Sequence, residues 1–347
     1  MRFTNTTPFP TLCFETKGPG GTDIHTVVVR ATTTIIPGAP LFLADEQLPL
    51  KLTDCYYGKP GSSSLKYPSD LVPFKPKTDI IIIGSAYPPA KGSLSWRIAV
   101  TVGQHKKSLL VLGECFWEKR FLLGWHVSPV TPVSTVAICY ENAYGGALVF
   151  PDDQDGPRIV DLCKKNPVGK GWISPLASKL LGKLERCPMP QIFSTNTSLR
   201  YGEEHLVEGF GAIAPDWAFR QRYRGTWRVE EDEVAIPFSS DFDFLYYNSA
   251  HPDLIVPYLK GDEAVQLLRL TPGGKLDFTL PGHLVYLRAK YARQEELQTI
   301  PALLDTLIIE PDEMRASLVW RSTVTIDPDL ESLEALLIFQ EGEGDHE

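Results

Sequence analysis

Along most of the chain the apolar residues fall in short runs rich in Val, Ile, Thr and aromatics, and each run closes on Gly, Pro or Asp. That is the pattern of strands joined by turns. It predicts strands over 25–36, 78–87, 95–103, 107–117, 134–140, 264–270, 275–280, 283–291 and 315–326. The runs 264–270 and 275–280 flank Thr271-Pro272-Gly273-Gly274, a hairpin loop in which Pro272 sets φ and the glycines permit positive φ. Within 95–103, Trp96, Ile98, Val100 and Val102 alternate with Arg97, Ala99 and Thr101, so one face is expected against the core and the other in a wetter place. The expected fold is mainly β: sandwich-like antiparallel sheets, long loops in the middle and a few short helices.

Three segments break this rhythm. Ser174-Pro175 reads as an N-cap with Pro at the first helical position, ahead of Leu176, Leu180, Leu181 and Leu184. Asp216 is expected to cap a short turn carrying Trp217, Arg220 and Arg224, stopped by Gly225. Asp327-Pro328 reads as opening a helix with Leu330, Leu333, Leu336 and Leu337 on one face. Between about 141 and 255, Gly, Pro and Asn become frequent and alternation fades, which predicts long, tied-down loops. The domain expectation is one large β-rich unit over 1–327, or two coupled lobes at 1–150 and 151–327, followed by a helix and acidic tail at 328–347.

Composition narrows the class. With 43% apolar and 22% charged residues the chain matches globular averages, which excludes disordered and fibrous readings. No run approaches the roughly 20 apolar residues of a membrane span, and Met1-Arg2-Phe3-Thr4-Asn5-Thr6 lacks a signal-peptide core, so a soluble cytoplasmic protein is expected. A net charge of -9 repels phosphate backbones and argues against a nucleic-acid partner. The acidic stretches Glu230-Glu231-Asp232-Glu233 and 341–347 read as solvated surface.

Catalytic and cofactor motifs are sparse. There is no GxSxG elbow and no SxxK, and Gly18-Pro19-Gly20-Gly21 lacks the Lys-Ser/Thr of a phosphate loop. The 6 cysteines include no CxxC, and the 7 histidines include no HxH, HxxxH or HExxH, so neither a metal nor an organic cofactor is expected. Asp241 and Asp243 would project to one side of an extended segment, as a glycan-acting β-sandwich with two acids requires. The same pair could instead accept hydrogen bonds from loop backbone or pair with one of the nearby arginines. Arg220, Arg222, Arg224 and Arg228 interleave with Trp217, Phe219, Tyr223 and Trp227, a composition enriched at binding hot spots. Its competing reading is an internal ion network with the acids at 230–233. Lys75 and Asp79 flank the start of an apolar strand, where a salt bridge or backbone caps could fix the preceding loop. Asn166-Pro167 with Gly169 and Gly171 makes a tight turn that positions its neighbours.

The order of these landmarks carries a resemblance. The succession runs from Ser69-Asp70-Leu71-Val72-Pro73-Phe74-Lys75-Pro76-Lys77-Thr78-Asp79 through Gly84-Ser85-Ala86-Tyr87-Pro88, Leu110-Val111-Leu112-Gly113 and Glu141-Asn142-Ala143-Tyr144-Gly145-Gly146. It goes on with Asn166-Pro167-Val168-Gly169-Lys170-Gly171, residues 209–220, Gly225-Thr226-Trp227, Asp241-Phe242-Asp243, Leu280-Pro281-Gly282, Asp305-Thr306-Leu307 and Leu318-Val319-Trp320-Arg321. From about residue 5 to 322 it resembles the bacterial domain of unknown function 2169, found in type VI secretion gene clusters. The resemblance implies an adaptor or chaperone that holds a secreted effector, through a PAAR-like or N-terminal region, and helps load it onto the VgrG spike. It brings no catalytic residues, and from the charge and composition above no nucleic-acid or membrane partner is expected. Three places depart from the family pattern: Glu114-Cys115 after Gly113, Arg186-Cys187-Pro188-Met189-Pro190, and Arg228 after Gly225-Thr226-Trp227. They point to a divergent member with its own cargo.

Overall fold

The computed structural model describes residues 1–347 except 121–123, 151–157, 174–185, 197, 227–238, 240, 293–295, 327–332 and 341–347. The chain is mainly β, with several antiparallel sheets, few short helices and no closed barrel. Its largest sheet runs Thr11–Lys17, Asp23–Thr34, Arg315–Thr325, Leu303–Glu310, Thr78–Ile82 and Ile255–Val256, with Phe42–Leu43 also paired to Asp23–Thr34. Asp23–Thr34 and Arg315–Thr325 zip from Arg315↔Thr34 to Thr325↔Ile24. Every residue from Ile24 to Thr33 is buried, which is why Val27, Val28 and Val29 are consecutive where a half-solvated strand would alternate. That double burial also encloses Arg30, which needs a carboxylate partner.

Leu303–Glu310 lies parallel to Thr78–Ile82, with Thr306↔Asp79 and Ile309↔Ile82 in register. Parallel neighbours need a long crossover, and here the intervening chain builds most of the remaining structure. A second sheet runs Ile192–Ser194, His105–Leu112, Ser95–Val102, Ala264–Leu268 and Lys275–Thr279. A third runs Arg2–Asn5, Leu333–Gln340, Val285–Tyr291 and Gln298–Pro301. One continuous apolar core, including Val29, Ile81, Ile98, Val265, Leu287 and Ile338, joins all three.

The expected hairpin is present. Ala264–Leu268 pairs antiparallel with Lys275–Thr279, and the reversal runs over 269–274, where Gly274 has φ 82° and Arg269 φ 58°. In Ser95–Val102 the residues Trp96, Ile98, Val100 and Val102 are buried and Arg97 is exposed; Ala99 is buried as well, so the outer face is partly covered. Other expectations change. The run 107–117 divides into His105–Leu112 and Phe116–Arg120 at Gly113, where a Cβ would lie 2.3 Å from the Thr131 carbonyl oxygen. The run 134–140 contracts to Val136–Ala137. The stretch 141–255 contains short strands as well as loops, among them Tyr144–Gly145, Ala147–Phe150 and Arg158–Leu162.

The helix expected from Asp327-Pro328 onward is corrected: Leu333, Leu336 and Leu337 belong to the strand Leu333–Gln340, which pairs with Arg2–Asn5 on one side and Val285–Tyr291 on the other. The helix expected from Ser174 lies outside the described residues. Both the first and the second sheet take strands from 1–150 and from 151–327. No helix among the described residues is long and apolar enough to cross a membrane.

Candidate functional site

The register of the first sheet sets Asp79 beside Thr306 and thereby gathers the charged residues of several motifs below the loop 70–78. Lys75 Nζ donates to Asp79 Oδ2 at 2.9 Å and to Thr306 Oγ1 at 2.7 Å. Asp79, wholly buried, also accepts from Asn248 Nδ2, the Ser249 and Ala250 N–H groups and the Ser249 hydroxyl. Thr306 Oγ1 donates to Asp305 Oδ1 at 2.8 Å, and Arg321 Nε reaches Asp305 Oδ2 at 2.6 Å. Arg321 Nη1 continues to the carbonyls of Asp70 and Val72, at 3.1 and 2.8 Å. Asp70 in turn accepts from Arg30 Nη1 at 2.9 Å and from the Lys51 N–H at 2.8 Å.

Arg30, Lys75 and Arg321 are thus matched by Asp70, Asp79 and Asp305, all buried. Each charge is stable there only because a counter-charge and hydrogen bonds replace its water. The Tyr258 hydroxyl closes the loop by donating to the Lys75 carbonyl. A cleft of about 80 Å³ opens beside the network, lined by Lys75, Tyr258, Asp305 and Arg321 and walled by Phe74 and Pro301.

A second cluster joins the second sheet to the segment leading into Ile255–Val256. Lys107 Nζ donates to Glu208 Oε2 at 2.5 Å and Asp253 Oδ2 at 2.7 Å, and stands 3.1 Å from His251 Nδ1. His251 Nε2 lies 3.1 Å from the Val207 carbonyl oxygen, a group that only accepts, so Nε2 carries the proton and Nδ1 accepts. Nδ1 also accepts from the Asp253 N–H, capping the short turn Pro252–Leu254. Burial, with the Lys107 ammonium, pushes the His251 pKa down. Burial pushes Asp253 up, but the hydrogen bond and charge of Lys107, with His251, together outweigh it and lower its pKa. Ligand atoms of Glu208, His251 and Asp253 all fall within 4.8 Å of one another, the spacing of a cation site. The Lys107 ammonium contacts all three and takes the cation's place. No local spacing in the sequence announces this cluster, because its members come from three distant segments.

The partner-binding candidates divide. Trp217, 2% exposed, packs edge-on against Tyr140, and Arg220, 7% exposed, donates to the carbonyls of Tyr246 and Ile213. Burial lowers the Arg220 pKa. Its partners are backbone oxygens and the Tyr246 ring, 5.1 Å away. Arg224 is exposed, and Trp227, Arg228 and the acids at 230–233 lie outside the described residues. The turn itself is Ala218–Gln221, and Trp217 holds its N-cap position where Asp216 was expected. Gly225 follows at φ 71°.

Asp241 and Asp243 are each engaged by the loops around them. Asp241 accepts from the Thr226 N–H and hydroxyl, and hydrogen bonds from Ser239 and Thr226 lower its pKa. Asp243 caps Phe244–Tyr247 by accepting from the Leu245 N–H at 2.8 Å. Asn166 fixes its turn by donating to the carbonyls of Tyr140 and Tyr144. Gly145, Gly169 and Gly171 crowd this region, and a Cβ on Gly145, at φ 151°, would stand 2.2 Å from the Asn166 carbonyl oxygen.

Two of the three family departures meet in space. The pairs Phe116↔Pro188 and Trp117↔Cys187 continue to a Met189 N–H bond onto the Cys115 carbonyl, so Cys115 lies beside Met189, and Cys115 Sγ sits 3.6 Å from Met189 Sδ in a small apolar cluster.

These features define a mainly β protein whose motif residues converge on a buried ionic network. The chain belongs to the family described as "Uncharacterized protein conserved in bacteria (DUF2169)", whose model matches residues 20–321. No curated protein and no solved structure matches the chain.

Proposed function

We propose that this protein is a cytoplasmic adaptor or chaperone of a type VI secretion system, which binds a secreted effector through a PAAR-like or N-terminal region and helps load it onto the VgrG spike. The observation that carries the reading is the inward orientation of the family's polar motifs: Asp70, Lys75, Asp79, Asp305 and Arg321 hold one another inside the fold. Residues used in this way fix loops against a sheet, and rigid loops on a scaffold are what recognition of a protein partner requires. The glycan-acting alternative draws no support from Asp241 and Asp243, whose oxygens are engaged by Thr226 and Leu245.

The test is co-expression with toxins and PAAR-like proteins encoded in the same genome, followed by size-exclusion chromatography and mass measurement. Co-elution of a stoichiometric complex is the expected result. Separate elution of both folded proteins, together with glycan hydrolysis by the chain alone, would overturn the proposal.

A further inference from the structure

The segment 51–71 combines two properties that seldom coincide: it is anchored like core, yet it exposes apolar side chains. Its anchors are carboxylates. Asp70 holds the Lys51 N–H and the buried Arg30; Asp54 accepts from the Ser69 N–H at 2.8 Å. Glu141 takes the Ser64 N–H and hydroxyl at 2.7 and 2.6 Å, and the Tyr67 hydroxyl donates to buried Glu310 at 2.5 Å. Arg315 completes the Glu310 site with two hydrogen bonds of 2.9 Å each. A segment tied at so many points has little conformational entropy left to lose on binding.

Its outer side is different. Leu52 is 56% exposed, Leu71 44% and Tyr57 41%. The Asp70 N–H bonded to the Lys51 carbonyl at 2.7 Å sets Leu52 and Leu71 on adjacent stretches of chain. Lys51 and Lys66 stand 5.0 and 5.2 Å from the centre of the same Tyr67 ring, and Lys66 stands 5.6 Å from that of Tyr57. Neither lysine has a salt bridge among the described residues, although the whole chain carries a net charge of -9. The two carboxylates of the segment itself, Asp54 and Asp70, are turned onto Ser69, Lys51 N–H and Arg30.

We infer that this face docks an acidic polypeptide segment bearing apolar side chains: carboxylates meet Lys51 and Lys66, and apolar groups cover Leu52, Leu71 and Tyr57. Charge complementarity selects the occupant, because the cations sit on aromatic rings and neither makes a salt bridge among the described residues. The apolar rim and the negative field of the rest of the chain disfavour a phosphate polymer. The inference rests on the adaptor reading only for the identity of the natural partner.

The experiment is fluorescence anisotropy with a short fluorescein-labelled peptide of alternating Glu and Leu, titrated with the full chain. Lys51→Glu combined with Lys66→Glu, and separately Leu52→Ser combined with Leu71→Ser, are each expected to weaken binding by at least about tenfold. Added salt should weaken binding of the parent and have little effect on the lysine variant. Both double variants replace side chains at the surface and should melt close to the parent. Equal binding by parent and variants, or equal binding of a Lys-Leu peptide or an oligothymidylate, would overturn the inference. A cognate effector that binds parent and variants alike would remove this surface and leave the adaptor reading intact. Failure of any effector to bind, with the Glu-Leu peptide still captured at this face, would do the reverse.

Discussion

Asp79 shows how much of the family's chemistry is internal. Its carboxylate is bonded by Lys75, Asn248, Ser249 and Ala250, and it lies in a strand buried throughout. Asp79→Asn keeps the shape and removes the charge, leaving the Lys75 ammonium buried without its counter-ion. A loss of about 3–5 kcal/mol is expected in chemical denaturation. Lys75→Met in the same background should cost much less than it does alone, because the charge it would strand is already gone. Strict additivity of the two changes would mean that the pair is not coupled as drawn. The Lys75 and Asp79 pairing was legible in the sequence, since both residues flank one strand. Arg30, Asp305 and Arg321 were not, because each finds its partner only after distant strands align.

At the scale of elements, turn chemistry was the most readable feature and long-range strand pairing the least. Pro272 and Gly274 marked a reversal that the structure contains, because φ preferences act within a few residues. Leu333–Gln340 reads as part of a helix through Leu333, Leu336 and Leu337 on one face, and is a strand because two neighbours offer it backbone partners and bury Leu336 and Ile338. Leu303–Glu310 escaped the pattern because Asp305 and Thr306 interrupt its apolar run, and these are the residues the ionic network needs inside. Asp243 supplies a test at this scale. As the cap of Phe244–Tyr247 it should tolerate Asn, which caps equally well, whereas Asp243→Ala should cost about 1 kcal/mol of stability. Thermal melts of the two variants decide the matter, and equal melting would deny the cap any role.

For the whole molecule, the Lys107 cluster makes stability depend on pH. It joins the second sheet to the edge of the first through His251, whose neutral ring accepts from Lys107 while Glu208 and Asp253 face the same ammonium. Tyr140 and Phe219 complete its surroundings. A proton on Nδ1 would place a second positive charge against that ammonium. The folded-state pKa of His251 therefore lies below the unfolded value of about 6.5. Below about 6.5 the unfolded chain binds a proton that the folded chain refuses, so stability is fully present above that pH and declines as pH falls toward the folded pKa. One such histidine sets a limiting slope of about 1.4 kcal/mol per pH unit. His283, also lowered by burial, adds to the same window, while Asp253, with its lowered pKa, acts only below the usual carboxylate range. Unfolding free energies measured from pH 7.5 to 5 should therefore fall, and His251→Asn, which can still cap Pro252–Leu254 but cannot titrate, should flatten the slope by up to one proton. The slope separates two states of the cluster. If the variant reproduces the parent's slope over that range, His251 is not refusing a proton, and the Lys107 ammonium cannot be donating to its ring.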